Sequence, residues 1–384
     1  MQKKLYLITL VLMLLLTGCG MVEIGFETPQ PSLAAATDTP ESTPTMTPEP
    51  FTYNDLPGGT LLDPSLAGMV YRDDQGVWVV DSAGQSRFIG ESNTSPVLSP
   101  DGEQVLFTSD DETVLWLRDL PSGESRILDD TPGKMKREYS WWPARPNVII
   151  YALVDPSDPW MGTLGGMDLD TGETFLLDPN SPSEYALSPD GESIVLGARE
   201  SLRIYHWGGD TQIIVPDDFK LEGWNLTHAS WSPDGTKISL FGSRYNEAAI
   251  KTELIVAILD PQDNSTAIIY SYQANLGGEY PFTTSWSPDG QWITATTFGE
   301  LGGRLPSLWV FAVDGSEKYQ FPYGTDPIWS SDGSQLIYLQ GPEPDAENSS
   351  YLAYNLYHVQ IGEWQAQQLP TAPGSSPQDW VSVP

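Results

Sequence analysis

Short apolar runs that alternate with polar residues recur from about residue 59 onward, separated by turns rich in Gly, Pro and Asp. Such alternation places one face of a β-strand in a core. The clearest marker is Trp-Ser-Pro-Asp-Gly, at 231–235 and 286–290. In this motif Pro presets φ, Asp bonds nearby backbone N–H groups and Gly permits a positive φ, so it predicts a tight turn between strands. The structural turn residues of its copies are Pro100, Asp101, Gly102, Pro189, Asp190, Gly191, Pro233, Asp234, Gly235, Pro288, Asp289, Gly290, Asp332 and Gly333.

Seven copies of one unit emerge when the flanking residues are aligned on the turn proline, or on Ser331 in the last copy. Two residues before this point stands Trp or Leu, and the fifth and seventh residues after it are apolar. Successive copies lie 36 to 55 residues apart, about 44 on average. This period is typical of the four-stranded blades of a β-propeller. The degenerate copies are Leu62-Asp63-Pro64 and Trp141-Trp142-Pro143.

The pattern therefore predicts an all-β fold, a β-propeller of four-stranded blades. Seven blades are the preferred count, and six blades with one unit as an appendage are the alternative. The Trp or Leu before each turn is predicted to lie on the innermost strand, between neighbouring blades. The tail from Asp379 to Val383 is predicted to supply a closing strand beside the first blade.

On these Pro-Asp-Gly repeats, residues 59–370 resemble the TolB-like (WD40-like) β-propellers, which also form the propeller domains of prolyl-oligopeptidase relatives. Five copies keep Asp-Gly and two do not. The known TolB-like propellers have six blades, in contrast to the seven units counted here. The resemblance implies a role in protein interaction, but function does not follow from fold.

The N-terminus predicts export and lipid attachment. Two lysines precede an apolar run from Leu5 to Leu16, which is too short to span a bilayer comfortably and reads as a signal peptide. The run ends in Leu16-Thr17-Gly18-Cys19, which resembles the lipoprotein box of bacteria, in which the cysteine carries lipid. An ordinary signal peptide with an incidental Cys is the alternative. The predicted segments are the signal peptide at 1–18, the lipidated Cys19 with a Pro/Thr-rich tether at 19–58, and the propeller at 59–384.

The amino-acid composition excludes several classes of binding partner and site. With 18 Lys and Arg against 52 Asp and Glu, the formal net charge is −34, which argues against nucleic acid because phosphate binding needs cations. The single Cys excludes an internal disulfide framework and a multi-Cys zinc site. We expect a bacterial envelope protein that is held on the membrane through Cys19 and exposed outside the cytoplasm.

No catalytic motif is present. The chain lacks a Gly-x-Ser-x-Gly elbow, a His-Glu-x-x-His motif and a dinucleotide fingerprint. The three histidines, His206, His228 and His358, do not form a motif, and the two in predicted strands read as structural. Pairs of acidic residues raise the possibility of calcium, but none has the spacing of a calcium loop. We therefore expect no catalysis, no metal and no cofactor.

The longer connections between strands are the predicted recognition surface, because loop variation on a rigid scaffold usually carries binding. We expect a scaffold that binds an envelope protein or peptide. A propeller that binds or senses a carbohydrate or small ligand is the alternative, and a propeller hydrolase or lyase is a further one. Aromatic residues and Arg are frequent at binding hot spots. The candidate contact residues are Trp160, Trp224, Tyr245, Tyr280 and Arg304.

Overall fold

The computed structural model describes residues 60–90, 96–182, 185–198, 201–207, 211–214, 220–246, 251–275, 284–298, 306–341, 354–371 and 375–380. The predicted signal peptide, Cys19 and the tether lie outside the described residues. Within the described ranges, no helix combines the length and the apolar character that crossing a membrane requires.

The described strands form seven antiparallel sheets of four strands, which are the seven blades of a β-propeller. The prediction of seven blades is confirmed. Blades 1 to 3 contain β1 (Met69–Arg72), β2 (Val77–Val80), β3 (Ser86–Gly90), β4 (Val97–Leu98), β5 (Gln104–Thr108), β6 (Leu115–Asp119), β7 (Ser125–Asp129), β8 (Met135–Trp142), β9 (Arg145–Asp155), β10 (Asp158–Asp168) and β11 (Thr174–Pro182). Blades 4 and 5 contain β12 (Tyr185–Leu187), β13 (Ser193–Ala198), β14 (Ser201–His206), β15 (Thr211–Ile214), β16 (Asn225–Trp231), β17 (Ile238–Asn246), β18 (Lys251–Asp260) and β19 (Ser265–Asn275). The last strands are β20 (Thr284–Trp286), β21 (Trp292–Phe298), β22 (Pro306–Ala312), β23 (Lys318–Pro322), β24 (Gly324–Trp329), β25 (Gln335–Gln340), β26 (Asn355–Gln360), β27 (Ala366–Gln368) and β28 (Ser376–Trp380).

Blades 2 to 7 each take four consecutive strands, whereas blade 1 combines β1, β2 and β3 with the C-terminal β28. β28 pairs antiparallel with β1, with Met69 opposite Trp380 and Arg72 opposite Ser376. The indole N–H of Trp380 also donates to the carbonyl of Ala67 at 2.9 Å. A closing strand from the tail beside blade 1 is therefore confirmed, but it runs over Ser376–Trp380 rather than 379–383, of which residues 381–383 lie outside the described residues.

The first repeat unit departs from its alignment. Leu62 is buried, as its apolar position requires, but it precedes a 3₁₀ turn at Pro64–Leu66 instead of lying on an inner strand. The innermost place in blade 1 is taken by β28, which is contributed from the other end of the chain. Ring closure therefore replaces the first inner strand, which explains why Leu62-Asp63-Pro64 lacks the Asp-Gly of the other turns.

The Ser-Pro-Asp-Gly turns share one hydrogen-bond pattern. In the copy of blade 2, the hydroxyl of Ser99 donates to Asp101 Oδ1 at 2.5 Å, and the N–H of Glu103 donates to the same oxygen at 3.0 Å. Gly102 has φ +71° and its N–H donates to the Ser99 carbonyl. The buried Ser thus anchors the Asp, a contribution that sequence reasoning had not assigned. The same Ser-to-Asp bond recurs at Ser188, Ser232, Ser287 and Ser330.

The core consists of apolar clusters within and between blades. Every aligned apolar position of β1, β5, β9, β13, β17, β21 and β25 is buried, except that Phe107 is half-buried. The Trp before the turn packs between blades, as predicted. In blade 3 the indole of Trp141 donates to the Val97 carbonyl of blade 2 at 3.2 Å, and in blade 6 that of Trp286 donates to the Ser230 carbonyl of blade 5 at 3.2 Å.

Candidate functional site

Three inner strands carry a bulge at the same place. Glu138 in β8, His228 in β16 and Asp326 in β24 have φ of +49°, +52° and +49°. Each lies three residues before the inner-strand Trp, and each interrupts the pairing of its strand with the next one. A non-glycine residue with positive φ in a strand is uncommon, and bulges often redirect a side chain at a functional site. The three residues therefore form equivalent positions in blades 3, 5 and 7.

Neighbouring blades hold two of these bulges in place. The hydroxyl of Tyr185, from blade 4, donates to the main-chain carbonyl of Glu138 and lies 2.8 Å from the hydroxyl of Ser140. The hydroxyl of Thr284, from blade 6, donates to the carbonyl of His228 at 2.7 Å. The unusual backbone is thus fixed by groups from another blade, so the position of these side chains depends on the assembled ring.

The three bulged residues are titratable, and two of them are carboxylates on innermost strands of the propeller. Glu138 and Asp326 are exposed and His228 is half-buried, although all three belong to the innermost strands, which surround the channel. The surrounding strands partly desolvate the carboxyl of Asp326 and raise its pKa, against the opposing hydrogen bond from Thr325. The raised pKa means that the carboxyl of Asp326 stays protonated to a higher pH than an ordinary Asp side chain does.

The basic residues beside this site are already paired. Lys136 is fully buried, and its ammonium donates to the carbonyls of Thr113, Thr131 and Lys134 at 2.5–3.1 Å. It also lies 3.6 Å from Asp129. Arg137 donates to Glu112 at 2.6 Å and Lys134 to Asp155 at 3.4 Å. This cluster joins blades 2 and 3 through local ion pairs.

The predicted contact residues do not converge in the described part of the chain. Trp224 packs into the core shared by blades 4 and 5, with the Arg244 guanidinium 4.6 Å from its ring centroid. Tyr245, the next residue on β17, has a half-exposed side chain. The backbone of Trp160 belongs to β10, but its side chain lies outside the described residues, as do Tyr280 and Arg304 entirely.

Sequence reasoning missed Glu138 and Asp326 and did not assign a role to His228. A signal was present: counted back from the inner-strand Trp, the third residue is titratable in Arg137-Glu138-Tyr139-Ser140-Trp141 and in the copies at 227–231 and 325–329. Without the bulges, this position reads as an ordinary surface residue of a strand.

The described acidic residues do not assemble into a metal site. Within the described ranges, no group of three or more His, Cys, Asp and Glu side chains has the arrangement to hold a metal ion. The paired aspartates instead stabilise turns. Asp111 accepts hydrogen bonds from the hydroxyls of Ser109 and Thr113 and from the Thr113 N–H, which lower its pKa to about 2.

Comparison with known proteins supports the β-propeller fold and contradicts the expectation that the chain is not an enzyme. No protein-family model matches the chain. A stretch of 125 residues is 26% identical to an uncharacterized peptidase, YuxL, of Bacillus subtilis, and the match covers 29% of this chain and 17% of the peptidase. The chain therefore spans less than a fifth of the length of that relative.

Among solved structures, an oligogalacturonate lyase from Vibrio parahaemolyticus aligns with a TM-score of 0.57 and 11% identity, over 77% of this chain and 92% of the lyase. A manganese complex of an oligogalacturonate lyase aligns with a TM-score of 0.55 and 15% identity, over 76% and 84%. TolB from Acinetobacter baumannii aligns with a TM-score of 0.45 and 14% identity, over 81% and 66%. At these identities, the two lyase alignments show a shared fold alone.

The prediction that the chain is not an enzyme is wrong in the light of these names, because the similar proteins include a peptidase and lyases. The physical reason lies in the fold. A propeller can assemble a reactive set from single side chains on separate blades, which leaves no compact motif in the sequence.

Proposed function

We propose that this chain is a lipid-anchored β-propeller, exposed outside the cytoplasm, that binds a protein or peptide ligand at the mouth of its central channel. The observation that carries the proposal is the repeated bulge of blades 3, 5 and 7, which brings Glu138, His228 and Asp326 onto the inner strands at equivalent positions. Strained backbone that neighbouring groups hold in place tends to occur at functional sites.

Electrostatics favours a ligand with basic residues. The chain carries a formal net charge of −34, and two of the three bulged residues are carboxylates. Lysines and arginines near the channel are engaged in ion pairs, as Arg137 is with Glu112. An excess of negative charge attracts a cationic segment and raises its association rate. This rate increases as the ionic strength falls, because salt screens the attraction.

The anchor follows from the sequence. Lipidated Cys19 would hold the protein on the membrane, and the Pro- and Thr-rich segment up to residue 58 would let the propeller extend away from it. A membrane-bound scaffold of this kind would meet envelope proteins at short range. The lipid attachment itself is tested by mass spectrometry of the N-terminal peptide and by release of a Cys19→Ala variant into the soluble fraction.

The binding proposal is tested by crosslinking in cells, followed by purification of the full chain and identification of the proteins attached to it. The test variants are Glu138→Gln and Asp326→Asn, and the matched control is Asp74→Asn, which removes the same charge from an exposed turn. We expect one envelope protein to be recovered with wild type and with the control, and at lower yield with the channel variants. Equal recovery with all four proteins would contradict a channel site.

A second candidate function is acid–base catalysis at the same channel. The raised pKa of the Asp326 carboxyl and the enzyme names among the similar proteins favour it. Asp326 would transfer a proton to or from the bound ligand, and His228 is the further titratable group on an equivalent strand.

Turnover assays distinguish this candidate from binding alone. The probes are galacturonate oligomers, named for the lyases, and a peptide mixture, suggested by the peptidase. We expect Asp326→Asn to abolish any turnover while ligand capture is reduced less, and Asp314→Asn, on an exposed turn, to leave turnover unchanged. Turnover that survives Asp326→Asn would exclude Asp326 as the acid–base group.

A further inference from the structure

An open aromatic pocket lies between the outer strand of blade 3 and the third strand of blade 4, beside the turn at Gly191. Its volume is about 390 Å³, within the range of small-ligand sites. Its surface is mainly apolar, with polar groups on Glu192 and His206. The lining residues are Trp142, Phe175, Leu176, Leu177, Glu192, Ile194, Tyr205, His206 and Trp207.

Trp207 is held firmly yet remains accessible. Its ring meets Trp142 edge-on, at 4.6 Å between centroids and 84°, and Phe175 at 5.2 Å and 88°. The Arg145 guanidinium lies 4.6 Å from the centroid of the Trp207 ring and donates to the Gly191 carbonyl at 2.8 Å and to Glu192 at 3.1 Å. Even so, 41% of Trp207 is exposed. A large aromatic side chain that is fixed before binding loses little entropy when a ligand packs against it.

The corresponding place between blades 6 and 7 holds a tryptophan that is more buried than Trp207. There Trp364, in the turn after the third strand of blade 7, stacks on Tyr319 with 3.8 Å between centroids and 13° between planes. Tyr319 is the second residue of the outer strand β23, as Phe175 is of β11. Trp292 meets Trp364 edge-on at 4.7 Å. The two sites therefore share an aromatic triad, but a stacked ring covers Trp364, whereas both aromatic neighbours of Trp207 approach it edge-on.

We propose that the pocket at Trp207 binds a neutral pyranose ring of a glycan. A pyranose has one face of C–H groups, which packs against an aromatic plane, and a rim of hydroxyls, which needs polar partners. The indole of Trp207, 41% of which is exposed, offers the plane. The Glu192 carboxylate, which also pairs with Arg145, and the His206 imidazole, whose Nδ1 lies 2.9 Å from the Ser193 hydroxyl, offer their other polar atoms as partners at the rim. Arg145 balances the charge of Glu192, so the preference for a neutral sugar over uronic acids and phosphorylated sugars rests on the formal net charge of −34 of the whole chain.

This site is separate from the proposed channel site. It lies beside the Ser-Pro-Asp-Gly turn of blade 4, at the periphery of blades 3 and 4, and it uses none of the bulged inner-strand residues. A propeller with both sites would hold a glycan at its rim while its channel engages another ligand. The two proposals therefore fail or succeed independently.

The test is calorimetric titration of the full chain, purified in detergent, with cellohexaose and with maltohexaose, and with hexagalacturonate as the acidic comparator. We expect saturable binding of a neutral hexasaccharide and weaker binding of the acidic one. Trp207→Ala should weaken binding at least about tenfold, as is typical for an aromatic hot spot. Trp207→Phe should retain part of it, and the matched control Trp364→Ala should bind as wild type does.

A second measurement covers the case in which Trp207→Ala does not fold. In protein labelled with ¹⁵N at the indoles, the resonance assigned to Trp207 through Trp207→Phe should shift on addition of the neutral sugar, and Glu192→Gln should reduce the affinity. The proposal is overturned if neither neutral hexasaccharide binds at millimolar concentration, if binding is unchanged in a folded Trp207→Ala, or if hexagalacturonate binds more tightly.

Discussion

The hydroxyl of Tyr185 in blade 4 donates a hydrogen bond to the main-chain carbonyl of Glu138 in blade 3. Glu138 sits at φ +49°, so its carbonyl has left the regular ladder of the sheet and takes its partner from the neighbouring blade. Burial raises the pKa of the Tyr185 hydroxyl, so it stays protonated and available as a donor. Through this contact, one blade fixes the shape of the channel wall in the next.

Tyr185→Phe should therefore destabilise the fold, because the Glu138 carbonyl and the Ser140 hydroxyl lose a partner at a partly buried position. We expect a loss of about 1–2 kcal/mol in the free energy of unfolding, measured by urea denaturation. Tyr319→Phe is the matched control, since its hydroxyl donates only to the exposed Glu317 and its removal should cost less. A Tyr185→Phe variant as stable as wild type would argue that water replaces the hydroxyl freely.

Lys136→Met should be strongly destabilising. Its ammonium is fully buried among three carbonyls and near Asp129, so the substitution removes three hydrogen bonds and the cation beside the Asp129 carboxylate, which keeps its bonds from the Thr131 N–H and the Tyr151 hydroxyl. We expect a loss of about 3–5 kcal/mol in unfolding free energy by denaturant titration.

Lys134→Met is the control for this effect, since it removes the same charge two residues away, from a solvent-exposed pair with Asp155. Exposed ion pairs contribute little, so the control should unfold nearly as wild type does. Equal effects of the two substitutions would show that Lys136 is not the link between blades 2 and 3 that its contacts indicate.

The hydrogen bonds of the turn aspartates predict how the stability of the fold depends on acidic pH. Hydrogen bonds from Ser232, from the Thr236 N–H and from the Thr236 hydroxyl lower the pKa of Asp234. The folded state therefore favours the ionised form, and the stabilisation is present above the pKa of about 3.9 of an unfolded Asp. It is lost as the pH falls through the lower pKa of the folded state.

Asp234→Asn should accordingly reduce stability at neutral pH, and the difference from wild type should shrink as the pH falls below about 4. The measurement is a series of thermal melts between neutral and acidic pH. Asp74→Asn removes the same charge from another exposed turn and corrects for the relief of general repulsion in this acidic chain. A difference that stays constant across the series would contradict the assignment.

Because the closing strand comes from the C-terminal segment, we expect the folding stability of the propeller to depend on that segment. Trp380→Ala removes packing at the junction of blades 1 and 7 and the hydrogen bond to the Ala67 carbonyl, and should cost about 3 kcal/mol. Trp380→Phe keeps part of the packing and should cost less. Both are measured by thermal melts, and a negligible effect of Trp380→Ala would mean that blade 1 is stable without this contact.

The repeat was readable from the sequence because each blade uses the same local rules. Leu98, Trp141 and Trp329 lie on inner strands, as their places before the turn predicted. A closing strand from the tail was also foreseen, but at 379–383, whereas the structure has it at Ser376–Trp380 because pairing with β1 sets its bounds. Local turn chemistry and period-two burial decide these features, and neighbours within about ten residues supply both.

The functional positions were not readable in the same way. Lys134 and Lys136 have the same chemistry two residues apart, yet one is at the surface and the other is fully buried. Trp224, a predicted contact residue, is half-buried against the core of blades 4 and 5 with the Arg244 guanidinium over its ring, and its role in binding stays a prediction. Which side of a strand is covered, and by what, depends on the adjacent blade, and no single repeat contains that information.

The sequence by itself thus determined the all-β repeat and the turn at each Pro-Asp-Gly, and it favoured seven blades over six, a choice that the structure decided. Only the tertiary structure decided that Glu138, His228 and Asp326 share one position on the inner strands, and that Trp207 is exposed while Trp364, with Tyr319 stacked on it, is half-buried. The physical reason is that strand period and turn conformation are set by residues close in the chain. The bulges and the pocket depend on contacts between blades, which exist only when the ring is closed.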